Sequence, residues 1–395
     1  MTTTTSKPAP GNTFQPAFGQ RLHVGRPNIG DNARFLARVQ DMLDRRVLTN
    51  DGPYVQEFEA KLATMLGVRH AVLMCNATVA LEIAIRALGL TGEVIVPSFT
   101  FIATAHALQW QEITPVFCDV RPGSHHIDPD RVRELITPRT TGIIGVHLWG
   151  EPCDVDGLTA VANRYGLRLL FDAAHAFACT SNGRMIGSFG DGEVFSFHAT
   201  KFLNTLEGGA VTTNNDEFAA KMRLMRNFGF AGYDKVIYIG TNGKMNEVSA
   251  AMGLTNLESI GDFINSNRRN YLLYREQLAD LPGVRLWQYL DGDDRNYQYV
   301  VLEIDDTAFG ISRDALMHLL WANNVLARRY FFPGCHRMEP YRSFFPHAHF
   351  LLPETERLAG RVLQLPTGTG VSMQDITVIC SLIRRASNTG IATTS

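Results

Sequence analysis

Short apolar runs alternate with helical stretches between residues 70 and 213, and this alternation restricts the fold more than any other feature. In chain order the runs are HAVLMC, EVIVPS, PVFCDV, TGIIGVHLW, LRLLFDAA, GEVFSFHA and GGAVTTN. Segments such as IIGV and RLLF are apolar on both faces, which is typical of strands covered by helices on both sides. The strands from LRLLFDAA onward follow one another without a long helix each time. We therefore predict an α/β fold with a mostly parallel but mixed sheet.

The composition and apolar pattern of the sequence change twice, which predicts three regions. Residues 1–22 are rich in Thr, Pro and Gly and lack the apolar segment of a signal peptide, so we expect a flexible tail. The alternating pattern assigns 23–255 to a large domain. Beyond residue 255 come a helix, the strand NYQYVVLEI, another helix and the aromatic-rich loop RRYFFPGC. This order indicates a smaller α+β domain over 256–395.

The charge balance and the cysteine pattern exclude several classes of partner and site. The positive charges of 37 Lys and Arg residues nearly cancel the negative charges of 39 Asp and Glu residues. This balance gives the chain no electrostatic attraction to nucleic acid or to an anionic membrane. A local basic pocket for an anionic ligand is compatible with it. No apolar run approaches the roughly 20 residues that span a bilayer. The six cysteines are scattered, which favours free thiols in a reducing cytoplasm over disulfides or a zinc site. We interpret His125-His126 and FPHAHF as surface loop residues and predict no metal site.

Asp172 and Lys201 form the most informative pair in the chain. Asp172 ends the apolar run LRLLFD, and ligands of open α/β sheets bind beyond the carboxyl ends of strands. A buried aspartate needs a cationic partner such as a protonated pyridine nitrogen; a helix cap or a structural salt bridge is the alternative. Lys201 follows the run EVFSF, where desolvation would lower its pKa and make it a nucleophile and base. The chemistry of pyridoxal 5′-phosphate (PLP) requires both groups.

A phosphate site and a ring-stacking aromatic would complete such an active site. The segment CNATVAL joins a strand to a helix and places Ala77 and Thr78 at the helix start, where backbone N–H groups bind phosphate. Ser196 could add a hydroxyl, although simple capping also explains the segment. Phe99 and Phe101 follow the strand EVIVP. Either could be a core residue, and at most one can stack on a ring.

Seven motifs occur in order from about residue 24 to about residue 385: NATVAL, EVIVPSFTFIATAHAL, VHLWGEPCDVDGL, LLFDAAHAF, SFHATK, EGGAVTTN and GTNGKMNEVSAAMGL. Together they resemble the motifs of the DegT/StrS-type nucleotide-sugar aminotransferases, which are fold-type-I PLP enzymes. The resemblance implies a seven-stranded mixed sheet in the large domain. It also implies PLP as the cofactor, with pyridoxamine 5′-phosphate as its form between the half-reactions, and a homodimer with shared active sites.

By position in these motifs, the resemblance implies cofactor contacts for nine residues. Lys201 would bond covalently to the cofactor, and Asp172 would pair with its pyridinium nitrogen. The other contacts would be His175 at the 3-oxygen, Ala77, Thr78 and Ser196 at the phosphate, Phe101 on the ring face, and Asn242 or Lys244 at the phosphate of the neighbouring subunit. Two segments depart from the family pattern. Asn-Ala-Thr stands where many relatives have Ser-Gly-Thr, and GTNGKMNE differs from the common G-x-N-x-R-M form, so the choice between Asn242 and Lys244 stays open.

The substrate expectation comes from the combination of GRPNIGD, RRVLTNDGP, CNATVAL, VHLWG, FDAAHAF and SFHATK. It most resembles the members that aminate C4 of TDP-4-keto-6-deoxy-D-glucose in deoxysugar pathways of secondary metabolism, with L-glutamate as donor and 2-oxoglutarate as its product. A 3-aminotransferase acting on a 3-keto isomer is the alternative. Four residues are candidates for substrate contacts, each with a plain alternative as a surface or packing residue: His147, Arg329, Tyr330 and His336.

Rival functions lack the sequence features that they require. The dehydratase branch of the same family has a histidine in place of the lysine of SFHATK. A regulator with this fold would need a helix-turn-helix, which the first 20 or so residues cannot supply. A nicotinamide-dependent dehydrogenase should carry G-x-G-x-x-G after a strand, and the sequence contains none.

Overall fold

A computed structural model describes residues 14–289 and 292–391, with side chains described to residue 387. Of the flexible tail that we predicted over 1–22, residues 1–13 therefore lie outside the described part.

Fourteen strands are present in the described part of the chain. In chain order they are β1 (Leu22–His23), β2 (His70–Met74), β3 (Glu93–Pro97), β4 (Thr114–Cys118), β5 (Thr140–Val146), β6 (Arg168–Asp172), β7 (Thr180–Ser181), β8 (Arg184–Met185), β9 (Gly192–Ser196), β10 (Gly209–Thr213), β11 (Val284–Leu286), β12 (Val300–Ile304), β13 (Val325–Leu326) and β14 (Val362–Leu365).

Fourteen α-helices surround these strands within the same described ranges. They are α1 (Asn32–Arg45), α2 (Pro53–Leu66), α3 (Ala77–Ala87), α4 (Ala103–Gln109), α5 (Pro129–Glu134), α6 (Val155–Tyr165), α7 (Asp216–Met225), α8 (Glu247–Glu258), α9 (Ile260–Leu278), α10 (Asp306–Phe309), α11 (Arg313–Ala322), α12 (Tyr341–Phe344), α13 (Pro353–Arg361) and α14 (Met373–Ile391).

The central sheet has seven strands in the order β2-β10-β9-β6-β5-β3-β4. The pairs β3–β4, β3–β5, β5–β6 and β6–β9 are parallel, whereas β10 is antiparallel to both β9 and β2. The predicted α/β fold with a mostly parallel, mixed sheet is thus confirmed. In register, Val146 pairs with Asp172 and Asp172 pairs with Val194. The carboxyl ends of β5, β6 and β9 therefore meet at one edge.

Both faces of this sheet are buried, as the continuous apolar runs predict. Leu170 of β6 belongs to the core between the sheet and helices α3, α4 and α7. Its neighbour Phe171 belongs to the core on the other face, which includes side chains of α2, α5, α6 and α8. Because successive side chains of a strand point to opposite faces, Asp172 lies on the α3 side of the sheet edge.

A second, three-stranded antiparallel sheet, β11-β12-β14, lies in the C-terminal part and shares an apolar core with α9, α11 and α14. Strand β1 joins this part, because Leu22 is buried and pairs with Val325 of β13. The predicted boundary at residue 255 falls inside α8. We retain 23–255 and 256–395 as a proposed division into domains.

Two smaller expectations concern the cysteines and the paired histidines. All six cysteines are free. His125, which we interpreted as a surface loop residue, is only 2% exposed, and that interpretation was wrong. Its ring packs 4.5 Å from the ring of Trp149 and 4.6 Å from that of Trp287, so aromatic contacts bury the loop that carries it. Within the described ranges, no helix combines the length and apolarity that crossing a membrane would require.

Candidate active site

A pocket of about 300 Å³ lies at the carboxyl ends of β5, β6 and β9, beside the first turn of α3. The side chains or backbone of nine residues that we singled out from the sequence line it: Ala77, Thr78, Phe101, His147, Asp172, His175, Ser196, Lys201 and Tyr330. The order of the sheet explains this convergence, because segments distant in sequence end at the same edge.

Asp172 occupies one side of the pocket with its carboxyl group almost fully buried. One carboxyl oxygen accepts a hydrogen bond from Thr104 Oγ1 at 2.8 Å, and the other accepts one from the backbone N–H of Ala174 at 3.1 Å. Burial raises the pKa of Asp172, while these hydrogen bonds and the charge of Lys201 act in the opposite direction. The carboxylate is held in place and gains stability from any cation that enters the pocket.

Lys201 reaches the same pocket from the loop after β9. Its backbone N–H donates to the carbonyl of His198 at 2.9 Å, which fixes the turn that carries it. Burial lowers the pKa of Lys201 to about 8; Asp172 opposes this change and the charge of Arg328 adds to it. A larger share of this amine is neutral at pH 7 than in an ordinary lysine. It is therefore suited to act as a nucleophile and as a base.

The first turn of α3 forms a cradle for an anion. The side chain of Asn76 caps the helix by accepting a hydrogen bond from the N–H of Val79 at 2.8 Å. The N–H groups of the first turn have no partner inside the helix, so those of Ala77 and Thr78 are available to a phosphate. Among the described residues, the hydroxyls of Thr78 and Ser196 have no hydrogen-bond partner. These donors fit the phosphate group of PLP.

Gly209 allows this cradle to lie close to the sheet. A Cβ atom built on Gly209 would lie 2.7 Å from the backbone nitrogen of Ala77. Such a contact is too short for any side chain, so a residue larger than glycine would displace the start of α3. Because Gly209 of β10 lies this close to Ala77, the position of the anion cradle depends on β10 as well as on α3.

His175 lies between the pocket and an aromatic wall. Its ring centroid is 4.3 Å from that of Tyr299 and 5.9 Å from that of Phe331. Burial, together with the charge of Lys201, lowers the pKa of His175 well below its usual range. The ring is neutral, and its Nδ1 accepts from the backbone N–H of Trp149 at 3.4 Å. By elimination the proton is assigned to Nε2, which can donate to an oxygen in the pocket.

The two phenylalanines after β3 differ in their exposure. Phe99 is fully buried and makes edge contacts with Trp149 and Phe331. Phe101 is 54% exposed and lines the pocket. Only Phe101 is therefore placed to cover the face of a planar ligand.

Two predicted substrate residues contact the pocket, and they differ in access. The ring of Tyr330 lies beneath the guanidinium of Arg328, 4.9 Å from its centroid. His147 is fully buried and stacks on Phe171 at 4.8 Å, while its backbone N–H donates to the carbonyl of Asp172 at 2.9 Å. This arrangement gives the side chain of His147 a supporting position behind β6.

The other two predicted substrate residues do not line the pocket. Arg329 contacts Asp314 at 3.3 Å, a carboxylate that Arg313 contacts as well, so its guanidinium is engaged within the fold. His336 is buried and bonds to Ser98 Oγ at 2.6 Å through Nδ1 and to Glu356 through Nε2. Both nitrogens of that ring are therefore used in holding segments of the fold together.

Asn242 and Lys244 lie in a loop outside the pocket of their own chain. Lys244 Nζ donates to Asn227 Oδ1 at 2.7 Å, and Asn242 forms a β-bridge with the same residue. Sequence reasoning had placed them at the phosphate of a neighbouring subunit.

Sequence reasoning missed Thr104, Arg328, His198 and Glu207, of which the last three line the pocket directly. Thr104 is a small residue in the helical motif FIATAHAL, and no local signal marks it as a partner of Asp172. Arg328 directly precedes the arginine that we chose. In the structure Arg328 lines the pocket, whereas Arg329 contacts Asp314.

Comparisons with known proteins agree over most of the chain. The sequence profile described as the DegT/DnrJ/EryC1/StrS aminotransferase family matches residues 30–384. A dTDP-4-amino-4,6-dideoxy-D-glucose transaminase of Shigella dysenteriae is 36% identical over 363 residues, covering 92% of this chain and 98% of the relative. A protein of the same description from Escherichia coli is 35% identical, with the same coverage. A crystal structure described as DesI in the presence of its TDP-sugar product is 52% identical, with a TM-score of 0.92 and 96% of both chains covered.

Proposed function

Since the chain belongs to the DegT/DnrJ/EryC1/StrS aminotransferase family, we propose that it aminates C4 of TDP-4-keto-6-deoxy-D-glucose with L-glutamate as donor. PLP is the cofactor of this family. The main support for the proposal is that Asp172 and Lys201 line the same pocket, next to the anion cradle at the start of α3. The choice of sugar rests on the relatives from Shigella dysenteriae and Escherichia coli and on DesI, whose descriptions name this amino sugar or a TDP-sugar.

The residues of the pocket fit the parts of PLP. We assign the covalent bond to Lys201 Nζ and the contact with the pyridine nitrogen to the carboxylate of Asp172. We assign the contact with the 3-oxygen of the cofactor to His175 and the contact with its ring face to Phe101. The phosphate of the cofactor is assigned to Ala77, Thr78 and Ser196. When bound, the cofactor supplies an acceptor for the electrons released when the Cα–H bond of an amino acid breaks.

Lys201 acts as the base and acid of the reaction. With its pKa lowered to about 8, Nζ takes the proton from Cα of the amino donor and later delivers a proton to C4 of the sugar. Asp172, held by Thr104 and Ala174, keeps the proton on the ring nitrogen. The aromatic wall of Tyr299 and Phe331 holds His175 in one orientation.

The product of the holoenzyme tests this function. Purified protein with PLP, TDP-4-keto-6-deoxyglucose and L-glutamate should give a TDP-amino-dideoxyhexose together with 2-oxoglutarate. Mass spectrometry identifies the amination, and NMR locates the nitrogen at C4. Nitrogen at C3 of a 3-keto isomer would favour the alternative regiochemistry. No amination of either keto-sugar would reject the proposed function.

A homodimer with shared active sites is part of the proposal. The loop 228–239 exposes several large apolar side chains, and Tyr233 is fully exposed while Ile239 is 74% exposed. Exposed apolar patches of this kind are typical of interaction surfaces. We expect a solution mass of twice 43.9 kDa by light scattering. We also expect mixtures of Lys201→Ala and Lys244→Ala chains to regain activity, which separate sites in each chain could not do.

We also propose a cytoplasmic location. The free thiols of the six cysteines support it, because unpaired cysteines persist in reducing compartments. Fractionation of the producing cell, followed by detection of the protein, tests this location.

A further inference from the structure

A set of buried amide side chains is hydrogen-bonded to the loop that carries Lys201. Its members are each at most 2% exposed, and we call them the amide brace: Asn28, Asn204, Asn256, Asn267 and Gln298. They come from the N-terminal segment, the loop between β9 and β10, helices α8 and α9, and the segment before β12. Hydrogen bonds join each member to the next, so the brace connects these five segments. Buried polar groups that satisfy one another favour one arrangement of the segments that carry them.

Asn28 holds the loop on the carboxyl side of Lys201. Its Nδ2 donates to the carbonyl of Phe202 at 3.1 Å, and its backbone carbonyl accepts from Asn204 Nδ2 at 2.7 Å. The backbone N–H of Lys201 itself donates to the carbonyl of His198 at 2.9 Å. The loop is therefore held both at Lys201 and directly beyond it.

The N-terminal segment also contacts the residue on the amino side of Lys201. A Cβ atom built on Gly25 would lie 2.9 Å from Cβ of Thr200, which directly precedes Lys201. The φ angle of Gly25 is +72°, a conformation that favours glycine, so the segment turns here without a side chain. Residues 25–28 therefore contact the chain on both sides of Lys201.

Every hydrogen-bonding site of the Asn28 side chain is in use. Its Nδ2 donates to Gln298 Oε1 at 3.2 Å as well as to Phe202. Its Oδ1 accepts from the backbone N–H of Thr369 at 3.0 Å and from the hydroxyl of Thr369 at 3.1 Å. An asparagine amide has two donor hydrogens and two acceptor lone pairs, and all four are satisfied here. Rotation or loss of this amide would leave buried groups unpaired, which costs free energy.

The position of the loop matters because the side chain of a lysine is long and flexible. Where Nζ of Lys201 lies in the pocket depends on where its backbone is held. A reacting group that is misplaced by about 1 Å can lose about 100-fold in rate. An amine that takes and delivers protons has to stay within hydrogen-bond reach of the atoms concerned. A fixed backbone at Lys201 is therefore a condition for its chemistry.

We propose that Asn28 is a positioning residue for Lys201, which it places through its bonds to Phe202 and Asn204. This assignment rests on the proposed function, because it takes Lys201 as the base and acid of the transamination. Asn28 does not line the pocket, so it should affect the rate of the chemical steps and not the binding of the amino donor. A purely structural role, in which Asn28 only adds to the stability of the fold, is the alternative that the experiment separates.

Asn270 provides the matched control. It is fully buried like Asn28, and its Nδ2 donates to the carbonyl of Gly368 at 3.1 Å, directly before the threonine that Asn28 contacts. Among the hydrogen bonds of the described residues, none joins Asn270 to the loop of Lys201. Asn28→Ala and Asn270→Ala each remove one buried amide, so denaturant unfolding should show a loss of stability in both. Only Asn28→Ala should affect Lys201.

Rapid mixing of each holoenzyme with L-glutamate, followed by the absorbance of the cofactor, gives the rate constant of the first half-reaction separately from the Kd of glutamate. We expect Asn28→Ala to lower the rate constant by about 10- to 100-fold and to leave the Kd within about twofold of the parent. Asn28→Asp keeps the size and the acceptor atoms but lacks the donor to Phe202, so it should also slow the reaction. It replaces Asn28→Ala in the comparison if that variant does not fold. Asn270→Ala should keep both constants within about twofold.

Rate constants within about twofold of the parent in Asn28→Ala and Asn28→Asp would overturn the proposal. An equal loss of rate in Asn270→Ala would assign the effect to stability and would overturn it as well. So would a raised Kd of glutamate with an unchanged rate constant. A parent that does not convert glutamate would reject the proposed function and this assignment together, whereas normal conversion by the parent leaves the proposed function standing whatever the variants show.

Discussion

The active-site pocket and the amide brace are neighbours that are built in opposite ways. In the pocket, burial shifts the pKa values of titratable groups, namely Asp172, His175 and Lys201. In the brace, Asn28 and Gln298 are neutral amides that are equally buried, and they bond to segments up to 341 residues apart in sequence. Groups that move protons need a controlled pKa, whereas groups that hold the backbone in place act through geometry alone. We therefore expect substitutions in the pocket to change both rates and their pH dependence, and substitutions in the brace to lower rates by the same factor at every pH.

The largest effect should follow from Lys201→Ala. Loss of the amine removes both the covalent attachment of the cofactor and the base, so we expect the rate of transamination to fall by about 10³-fold or more. Steady-state assays measure this change, which should exceed that of Asn28→Ala, where the amine is displaced but not removed. Lys61→Ala, at a partly exposed lysine of α2, is the matched control. Turnover close to that of the parent would contradict the role assigned to Lys201.

Asp172→Asn should have the next largest effect. Asparagine keeps the size of the side chain and can still accept from Thr104, but it cannot hold a positive charge on the ring nitrogen. Removing such an electrostatic contact costs about 10²-fold in kcat. The absorbance spectrum of the holoenzyme should change together with kcat. Thr104→Val, which removes only the supporting hydrogen bond, should have the same sign and a smaller size, and an unaltered kcat in Asp172→Asn would be incompatible with the assigned role.

The pH dependence of PLP capture tests the pocket alone, because the amides of the brace do not titrate, whereas Arg328 lines the pocket and its charge acts on Lys201. The pKa of Lys201 is lowered to about 8. The rate at which the apoprotein captures PLP should therefore rise with pH as the neutral amine accumulates, with its midpoint near the pKa of about 8. Arg328→Gln removes a positive charge that lowers this pKa, so the midpoint should move upward. A midpoint near 10.5, the ordinary value for lysine, or a downward shift in the variant would refute this account.

Glu193→Gln should produce the smallest effect on both regions, because Glu193 is a fully buried residue of β9 that does not line the pocket. We expect kcat and the KM for glutamate to stay within about twofold. Burial raises the pKa of Glu193 well above its ordinary value of 4.5. The folded protein then keeps a proton that the unfolded chain loses above that pH, so the stability of the parent falls as the pH rises.

Glutamine does not titrate, and the unfolding free energy of Glu193→Gln should improve relative to the parent as the pH rises above 4.5. Denaturant unfolding at several pH values measures this difference. A loss of kcat greater than about 10-fold would mean that the reactive region extends behind β6, through His147, whose Nε2 is 3.6 Å from Glu193 Oε1.

Sequence patterns could locate the pocket because its residues belong to local motifs at the ends of strands. Asp172 and Ser196 each end a strand, and Ala77 begins a helix directly after another. The parallel sheet then brings these ends together. The residues alone did not distinguish Phe99 from Phe101, because their exposure depends on packing against Trp149 and Phe331; only the family resemblance indicated Phe101.

The amide brace could not be predicted, since it forms only when segments up to 341 residues apart in sequence come together. The same limit explains the choice of Arg329 over Arg328. Which of two adjacent arginines faces the pocket depends on how the chain turns after β13, and Asp314, the partner of Arg329, is distant in sequence. We predicted a substrate contact for His336, but its contacts with Ser98 and Glu356 exist only in the folded protein.

The most direct test of the central claim is reduction of the holoenzyme with borohydride, followed by proteolysis and mass spectrometry. We predict that the visible absorbance disappears and that the cofactor is found on one lysine, Lys201, in the peptide that contains SFHATK. A cofactor label on any other lysine, or a purified protein that shows no visible absorbance after incubation with PLP, would contradict the account.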